Sequence, residues 1–266
     1  MIPYVGGKSY LAPWIISNFP KNYTQMHYCE VFGGGGWVLF KKEPSNLETY
    51  NDLNKSLVNL FRIIRNKYPE FEHRAQWSLH SREMYNEAID RLKEDKFLSE
   101  VDKAVTYAIR KTQTFSGGNS QSWGYAITGD KMMSGKWLPF LKKMELINAR
   151  LKRTQIECMD FERLIRKYDD RKTLFYVDPP YYEAEHYYTQ PGVEFKREDH
   201  ERLHKVLSKI KGKFTLSYYD HPVIKEMYKK YRIIQKSAVK HSAGASGQNR
   251  VGYTKPRSIE LLIMNY

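Results

Sequence analysis

The sequence predicts an α/β fold, with an open sheet, helices on both of its faces and a mainly helical inserted lobe. Strand-like and helix-like segments alternate at both ends of the chain, which predicts the sheet. Residues 66–154 instead carry apolar residues at helical spacing with no strand-like run between them, which predicts the lobe. We therefore expect one domain from residues 1–55 and 155–266, and a lobe from residues 56–154.

The first segment is expected to contain a strand, a turn and a helix. Residues 26–32 form an apolar run typical of a buried strand, the glycines at 33–36 predict a tight turn, and a helix start is expected at Trp37. A second strand is expected over residues 47–50. The helix after it is indicated by apolar residues at helical spacing, namely Leu53, Leu57, Leu60, Phe61 and Ile64.

The lobe is expected to end in a polar, aromatic tip. Residues 115–137 contain five glycines and alternate in character around Gly129 and Asp130, a pattern typical of a loop leading into a hairpin. The α/β pattern then resumes. Its expected elements are strands over 174–177, 214–217, 231–241 and 258–266, a helix over 198–210 and a basic helix over 225–232.

The charge balance points to a polyanionic partner. The 266 residues include 44 Lys and Arg against 30 Asp and Glu, a formal net charge of +14, and 14% of the residues are aromatic. No apolar run is long enough to cross a membrane, and the first residues lack the pattern of a signal segment, so we expect a cytoplasmic protein. Cys29 and Cys158 offer neither a disulfide framework nor a metal site, and no metal is expected.

Two features suggest a nucleoside-containing cofactor. The glycine turn at 33–36 lets the backbone approach a ligand at the carboxyl end of the first strand, where open α/β sheets bind nucleotides. Asp52 follows the second strand, from which a carboxylate can reach ribose hydroxyls. Lys8, on a glycine turn near the chain start, could hold a cofactor carboxylate as a point charge.

The stretch from Tyr176 to Tyr182 reads Tyr-Val-Asp-Pro-Pro-Tyr-Tyr and ends a predicted strand. Asp178 offers a carboxylate and Pro179 a carbonyl with a restricted direction, so both accept hydrogen bonds. Together they could hold the two N–H donors of an exocyclic amine, while Pro180 keeps the backbone turned and Tyr181 offers a ring for stacking. The pattern indicates chemistry on the amine of a base, with a sulfonium methyl group as the electrophile.

These motifs, in this order, resemble those of the Dam-type DNA adenine-N6 methyltransferases. The resembling segments are Tyr4-Val-Gly-Gly-Lys8, Glu30-Val-Phe-Gly-Gly-Gly35, Asn51-Asp52-Leu-Asn54, Asp160-Phe161, Asp178-Pro-Pro-Tyr181, Leu216-Ser-Tyr-Tyr-Asp220 and the closing Glu260-Leu-Leu-Ile-Met-Asn-Tyr266. Two positions differ from the family pattern: Tyr4 stands where Trp is common, and Val31 stands where Pro is usual. The resemblance covers nearly the whole chain and implies a Rossmann-like methyltransferase sheet.

The resemblance also implies a cofactor and a set of site residues. The cofactor is S-adenosylmethionine, and the expected cofactor-binding residues are Tyr4, Lys8, Glu30, Phe32, Gly33, Gly35, Asp52, Asp160, Phe161 and Asp178. The expected catalytic residues, which would hold a flipped adenine, are Asp178, Pro179, Pro180 and Tyr181.

The lobe resembles the family least, so the recognised sequence stays open. Candidate base readers are Asn119, Gln121, Ser122 and Lys131, and Arg110 and Lys111 are candidate contacts to phosphates or bases. In the last loop, the candidate phosphate contacts are Lys240, Arg250, Lys255 and Arg257. A solvated loop is the alternative explanation for each of them.

The activity that we expect is site-specific methyl transfer to adenine N6 in double-stranded DNA, with base flipping. Methylation of cytosine N4 or of RNA adenine is the alternative within enzymes, and an inactive DNA-binding relative is the alternative outside them. We expect a monomer or weak dimer that is associated with the nucleoid in the cytoplasm. A cognate restriction endonuclease is a possible partner.

Overall fold

The computed structural model describes residues 2–4, 6–114, 122–124, 135, 137–185, 194–239 and 257–266, with side chains at all of these except Val239 and Arg257. Its strands are β1 His27–Glu30, β2 Leu47–Asn51, β3 Thr154–Glu157, β4 Thr173–Val177, β5 Lys213–Tyr219, β6 Arg232–Val239 and β7 Arg257–Met264. Its α-helices are α1 Ala12–Ser17, α2 Trp37–Lys41, α3 Lys55–Asn66, α4 Tyr68–Ala75, α5 Arg82–Glu94, α6 Glu100–Gln113, α7 Trp137–Leu151, α8 Phe161–Tyr168, α9 Arg197–Leu207 and α10 Pro222–Met227.

The seven strands form one sheet in the order β3-β2-β1-β4-β5-β7-β6. The strands from β3 to β5 in this order pair in parallel, and β7 pairs antiparallel with both β5 and β6. The chain passes outward from β1 to β2 and β3, and then returns to β4 on the other side of β1. This reversal of strand order leaves a crevice at the carboxyl ends of β1 and β4, the place where open α/β sheets bind ligands.

Helices cover both faces of the sheet, as the sequence predicts. Leu174 and Tyr176 of β4 belong to one buried apolar cluster, and Phe175 and Val177 belong to another. Successive side chains of a strand point to opposite faces, so the two clusters are the two layers of core. The α/β prediction is confirmed.

Polar side chains cap the main helices. Asn54, Ser81, Ser99 and Asp160 each accept a hydrogen bond from a backbone N–H in the first turn of α3, α5, α6 and α8 respectively. Such caps satisfy amide groups that have no partner within the helix. The starts of these four helices are therefore specified by the residue that precedes each of them in the sequence.

Apart from its connections, the bridge between Thr114 and Trp123 and the start of β3 at Thr154, the described part of the predicted lobe is helical. Buried residues of α3, α6 and α7, among them Phe61, Ala104 and Met144, lie in the same apolar cluster as Leu174 of the sheet. The predicted boundary at residue 55 coincides with the first residue of α3. The lobe thus packs on the sheet domain through α3, and its division from that domain stays a prediction.

Several details differ from the expectations. Strand β3 and helices α1 and α8 were not predicted. Helix α9 ends at Leu207 and not at residue 210, because the backbone N–H of Lys209 bonds to the Val206 carbonyl three residues back, in a tightened turn. The basic stretch 225–232 is not one helix, since α10 ends at Met227 and Arg232 begins β6. Most of the predicted hairpin lies outside the described residues; of its first part, Thr114 forms an antiparallel bridge with Trp123.

Candidate active site

A partly enclosed cavity lies at the carboxyl edge of the parallel strands. Because these strands run in the same direction, the residues that follow β1, β2, β3 and β4 come together at this edge. All ten predicted cofactor-binding residues line the cavity, namely Tyr4, Lys8, Glu30, Phe32, Gly33, Gly35, Asp52, Asp160, Phe161 and Asp178.

The glycine turn after β1 is shaped by close contacts that exclude side chains. A Cβ at Gly33 would lie 2.1 Å from the Tyr50 ring, and Gly34 and Gly36 have φ of 48° and 67°. The Tyr50 hydroxyl donates to the Gly34 carbonyl at 2.7 Å. A side chain at Gly33 would collide with Tyr50, and glycine adopts the left-handed conformation of Gly34 and Gly36 without strain. The turn can therefore pack closely against β2.

Asp52 is held by backbone amides at the wall of the cavity. Its carboxylate accepts a hydrogen bond from the Gly34 N–H and another from the Asn54 N–H, both at 2.8 Å. Burial raises the pKa of Asp52, and these two amides, together with Lys111, oppose the rise. The carboxylate is therefore fixed in direction beside the glycine turn.

Asn51 is a site residue to which the sequence analysis gave no separate role. Its amide donates to the Val31 carbonyl at 2.9 Å and to the Met159 carbonyl at 3.0 Å, and it accepts from the Met159 N–H at 2.9 Å. These bonds join the ends of β1, β2 and β3. The signal for it in the sequence is an amide at the last position of a buried strand.

Glu30 lies beneath the turn and is almost fully buried. It accepts hydrogen bonds from the Tyr28 hydroxyl at 2.7 Å and from the Leu39 N–H in the first turn of α2 at 2.8 Å. Burial raises its pKa to about 8. Its contacts hold the start of α2 against β1, which places the turn.

Three aromatic rings form another wall. Phe32 lies 5.5 Å from Phe161 and 5.6 Å from Phe195 between ring centroids, and the Arg202 guanidinium lies 4.2 Å from the Phe161 centroid. Arg202 also pairs with Asp160. Phe195 precedes α9 and Arg202 lies in the middle of that helix, and no motif in the sequence marks either residue.

A buried charge cluster lies at the Asp-Pro-Pro-Tyr motif. The Lys8 ammonium is 3.1 Å from Asp178 and 3.5 Å from Glu260, and it lies 4.5 Å from the centroid of the Tyr181 ring. Burial raises the pKa of both carboxyl groups, and Lys8 opposes the rise in each. Lys8 therefore offsets two buried acids that would otherwise repel each other.

Glu260 in this cluster was noted only as part of the closing motif. It lies on β7 opposite Tyr219 of β5, and it accepts a hydrogen bond from the Tyr181 hydroxyl. Pro180 lines the cavity with Asp178, whereas Tyr181 is 1% exposed and packs edge-on against Tyr219. The stacking role of Tyr181 stays a prediction, since it requires the ring to become accessible to a base.

Lys111 does not lie on the surface where a DNA contact was expected. It is 1% exposed, and its ammonium lies 4.9 Å from the Tyr4 ring centroid and 5.7 Å from that of Tyr107. Burial lowers its pKa to about 7; Arg110 adds to this effect and Asp52 opposes it. This position favours a role beside the cavity over a contact with DNA.

The other predicted DNA contacts are only partly described. Arg110 is partly exposed near the end of α6, and Ser122 is exposed next to Trp123. Arg257 begins β7, without a described side chain. The remaining candidates lie outside the described residues: Asn119, Gln121, Lys131, Lys240, Arg250 and Lys255.

Within the described part of the chain, no group of three His, Cys, Asp or Glu side chains is arranged to hold a metal ion. None of the described helices is long and apolar enough to cross a membrane. The cavity combines the fixed carboxylate of Asp52, the aromatic wall of Phe32, Phe161 and Phe195, and the carboxylate of Asp178 next to Pro179 and Pro180. It can hold a nucleoside at one end and accept N–H hydrogen bonds at the other.

Comparisons with known proteins identify the family. Comparison with curated proteins gives no match. Residues 4–242 match the D12 class of N6 adenine-specific DNA methyltransferases, an enzyme family. That match favours adenine N6 in DNA over the cytosine N4 and RNA alternatives, and it agrees with the Rossmann-like sheet described above. Because it spans most of the chain, the protein belongs to the D12 class of N6 adenine-specific DNA methyltransferases.

Proposed function

We propose that the cavity binds S-adenosylmethionine, and that Asp178 and Pro179 hold the N6 amine of an adenine rotated out of duplex DNA. Family membership already implies a methyl donor and a DNA substrate. The observation that carries the proposal is the cavity, in which all ten residues expected for this cofactor come together beside Asp178.

The residues suit the parts of this cofactor. Asp52 follows β2 and Asp178 follows β4, so the two carboxylates lie two strands apart, roughly 10 Å. Asp52 would accept from ribose hydroxyls, and Phe32 and Phe161 would pack on the adenine ring. When bound, the cofactor supplies an electrophilic methyl group on a sulfonium.

Asp178 and Pro179 would position and activate the acceptor amine. Each offers an oxygen to one N6 hydrogen, which draws the nitrogen lone pair out of conjugation and toward the methyl group. The raised pKa of the partly buried Asp178 makes its carboxylate a better proton acceptor than an exposed aspartate, so it can take the N6 proton that is released. Lys8 would keep this carboxylate ionised before transfer.

Base flipping follows from the location of these groups. Adenine N6 is hydrogen-bonded inside a duplex, whereas Asp178 lies within a cavity. The base must therefore leave the stack to reach it. The expected monomer or weak dimer, the partner endonuclease and the cytoplasmic, nucleoid-associated location stay predictions from the sequence.

Nucleoside analysis tests the proposal. Duplex DNA is incubated with the protein and with S-adenosylmethionine carrying an isotopic methyl label, then digested and analysed by mass spectrometry. We expect the label in N6-methyladenine and a much slower reaction when the substrate is the same sequence as an RNA duplex. Label in N4-methylcytosine, or none in any base, would overturn the proposal.

A further inference from the structure

The connection between α4 and α5, residues 76–81, exposes two large apolar side chains. Trp77 is 74% exposed and Leu79 is 68% exposed. Single exposed apolar residues are normal on protein surfaces, so exposure alone carries no conclusion. This connection differs from an ordinary exposed loop because it contacts Gln113 and Trp123.

The connection is joined to the residues at both ends of positions 115–122, the predicted reading segment, which carry three of the four candidate base readers. The chain leaves α6 at Gln113 and returns at Trp123, where Thr114 and Trp123 form an antiparallel bridge. The Gln113 side chain donates to the Leu79 carbonyl at 2.8 Å and accepts from the Trp123 indole at 3.2 Å. The residues between these anchors include the predicted base readers Asn119 and Gln121.

Trp123 contacts both His80 of the connection and Arg82 at the start of α5. The His80 ring stacks on the Trp123 ring with centroids 4.9 Å apart and an interplanar angle of 29°, and its Nε2 lies 3.0 Å from the Gly124 carbonyl oxygen. The Arg82 guanidinium lies 4.7 Å from the same indole ring. Arg82 is exposed at the first position of α5. The connection and the first residue of α5 thus present two apolar side chains and an arginine on the part of the lobe that contacts Gln113 and Trp123.

We propose that Trp77, Leu79 and Arg82 form a second DNA-contacting surface, next to the segment between Thr114 and Trp123. Arg82 contacts a backbone phosphate, and Trp77 and Leu79 pack on sugars and base edges beside the target site. The proposal deepens the proposed function by naming where the duplex is held, and it rests on DNA being the substrate.

Three observations select duplex DNA as the occupant. The protein belongs to a DNA-methylating family, its net charge is +14, and the surface is continuous with the anchored ends of the predicted reading segment. The exposed indole of Trp77 and the exposed guanidinium of Arg82 suit a nucleic acid, because a ring contributes stacking or packing and a cation neutralises a phosphate.

The test compares DNA binding of the double variant Trp77→Ala/Leu79→Ala with that of Leu146→Ala. Leu146 is 74% exposed on α7 and serves as a matched apolar control. Binding is measured by fluorescence anisotropy with a labelled duplex that is selected from random sequences for binding to the wild-type protein. We expect the double variant to weaken the Kd about tenfold and the control to leave it unchanged. S-adenosylmethionine affinity and the melting temperature should not change, since both side chains are exposed.

Two further readouts keep the test independent of methyl transfer. Trp77→Phe should reduce the change in tryptophan fluorescence when unlabelled duplex is added. Arg82→Gln should lower the slope of log Kd against log salt by about one phosphate contact.

A Kd within twofold of wild type for the double variant, about 0.4 kcal/mol, would overturn the proposal. So would loss of a dimer in sedimentation without loss of DNA binding, which would assign the surface to a second copy of the chain. Because binding is measured without cofactor, these outcomes are separate from a failure of the transfer reaction.

Discussion

The carboxyl edge of the sheet and the helical lobe differ in how their functional residues are arranged. At the sheet edge, residues from motifs as distant as Tyr4 and Asp178 line one cavity. In the lobe, Lys111, which was expected to contact DNA, is buried against Tyr4. Trp77, which was not singled out, is exposed two residues before Leu79, whose carbonyl accepts a hydrogen bond from Gln113. Parallel strands bring their ends together by geometry alone, whereas a lobe residue's exposure depends on how its helices pack.

The largest expected effect is at the sheet edge, with Asp178→Asn. The amide keeps one acceptor oxygen but loses the charge that pairs with Lys8 and the capacity to take a proton. We expect the single-turnover rate of methyl transfer to fall about 10²- to 10³-fold, the loss typical of removing one stabilising group from an active site.

DNA affinity of Asp178→Asn, measured by anisotropy, should stay close to that of wild type. Asp90→Asn, on the exposed face of α5, is the matched control and should transfer methyl groups normally. A variant at Asp178 that keeps full activity would show that the proton and the amine are handled elsewhere.

A smaller effect is expected for Asp52→Asn, on cofactor binding. The carboxylate that accepts from Gly34 and Asn54 becomes neutral, so charge-assisted hydrogen bonds to ribose hydroxyls are lost. Such bonds contribute about 1.5–3 kcal/mol, which corresponds to a Kd for S-adenosylmethionine about 10- to 100-fold weaker by calorimetry. Unchanged affinity would remove Asp52 from the cofactor site.

The smallest effect, at Lys111→Met, tests whether this lobe residue serves the cofactor or the DNA. Its ammonium favours the ionised form of Asp52, and Arg110 and the rings of Tyr4 and Tyr107 also lie near it. We expect cofactor affinity to fall about threefold, within the range for a partly screened charge pair, with DNA affinity unchanged.

The pH dependence sharpens this expectation. The pKa of Lys111 is about 7, so its charge is present at lower pH and is lost as pH rises through neutrality. Wild-type cofactor affinity should therefore decline across that range relative to the Lys111→Met variant, which lacks the titrating group. Titration of the cofactor's own amine is common to both proteins and cancels in the ratio. A lower DNA affinity with normal cofactor binding would restore the original prediction of a DNA contact.

Much of the fold and of the cavity could be predicted from the sequence because the signals are local. The glycines after β1 occupy positions where Tyr50 and a left-handed backbone exclude other residues, so their pattern marks a turn. Asp52 and Asp178 stand one residue beyond the ends of buried strands, which places them at one edge of a parallel sheet. Strand β3 escaped prediction because Thr154–Glu157 is short and only its first residue is buried.

The lining residues without motifs could not be predicted. Phe195 and Arg202 reach the cavity only because α9 packs beside α8, and nothing in their local sequence indicates that contact. The burial of Lys111 could not be predicted either, because an amphipathic helix does not reveal how deeply a lysine at the edge of its apolar face will lie.

The sequence by itself determined the order of motifs, the alternation of strands and helices, and the acid–proline–proline stretch, since each depends on neighbouring residues. Only the tertiary structure decided that Lys8 from the chain start lies between Asp178 and Glu260, and that the Tyr181 hydroxyl donates a hydrogen bond to Glu260 on β7. The physical reason is that buried charges require partners, and those partners are supplied by strand order in the sheet and not by distance along the chain.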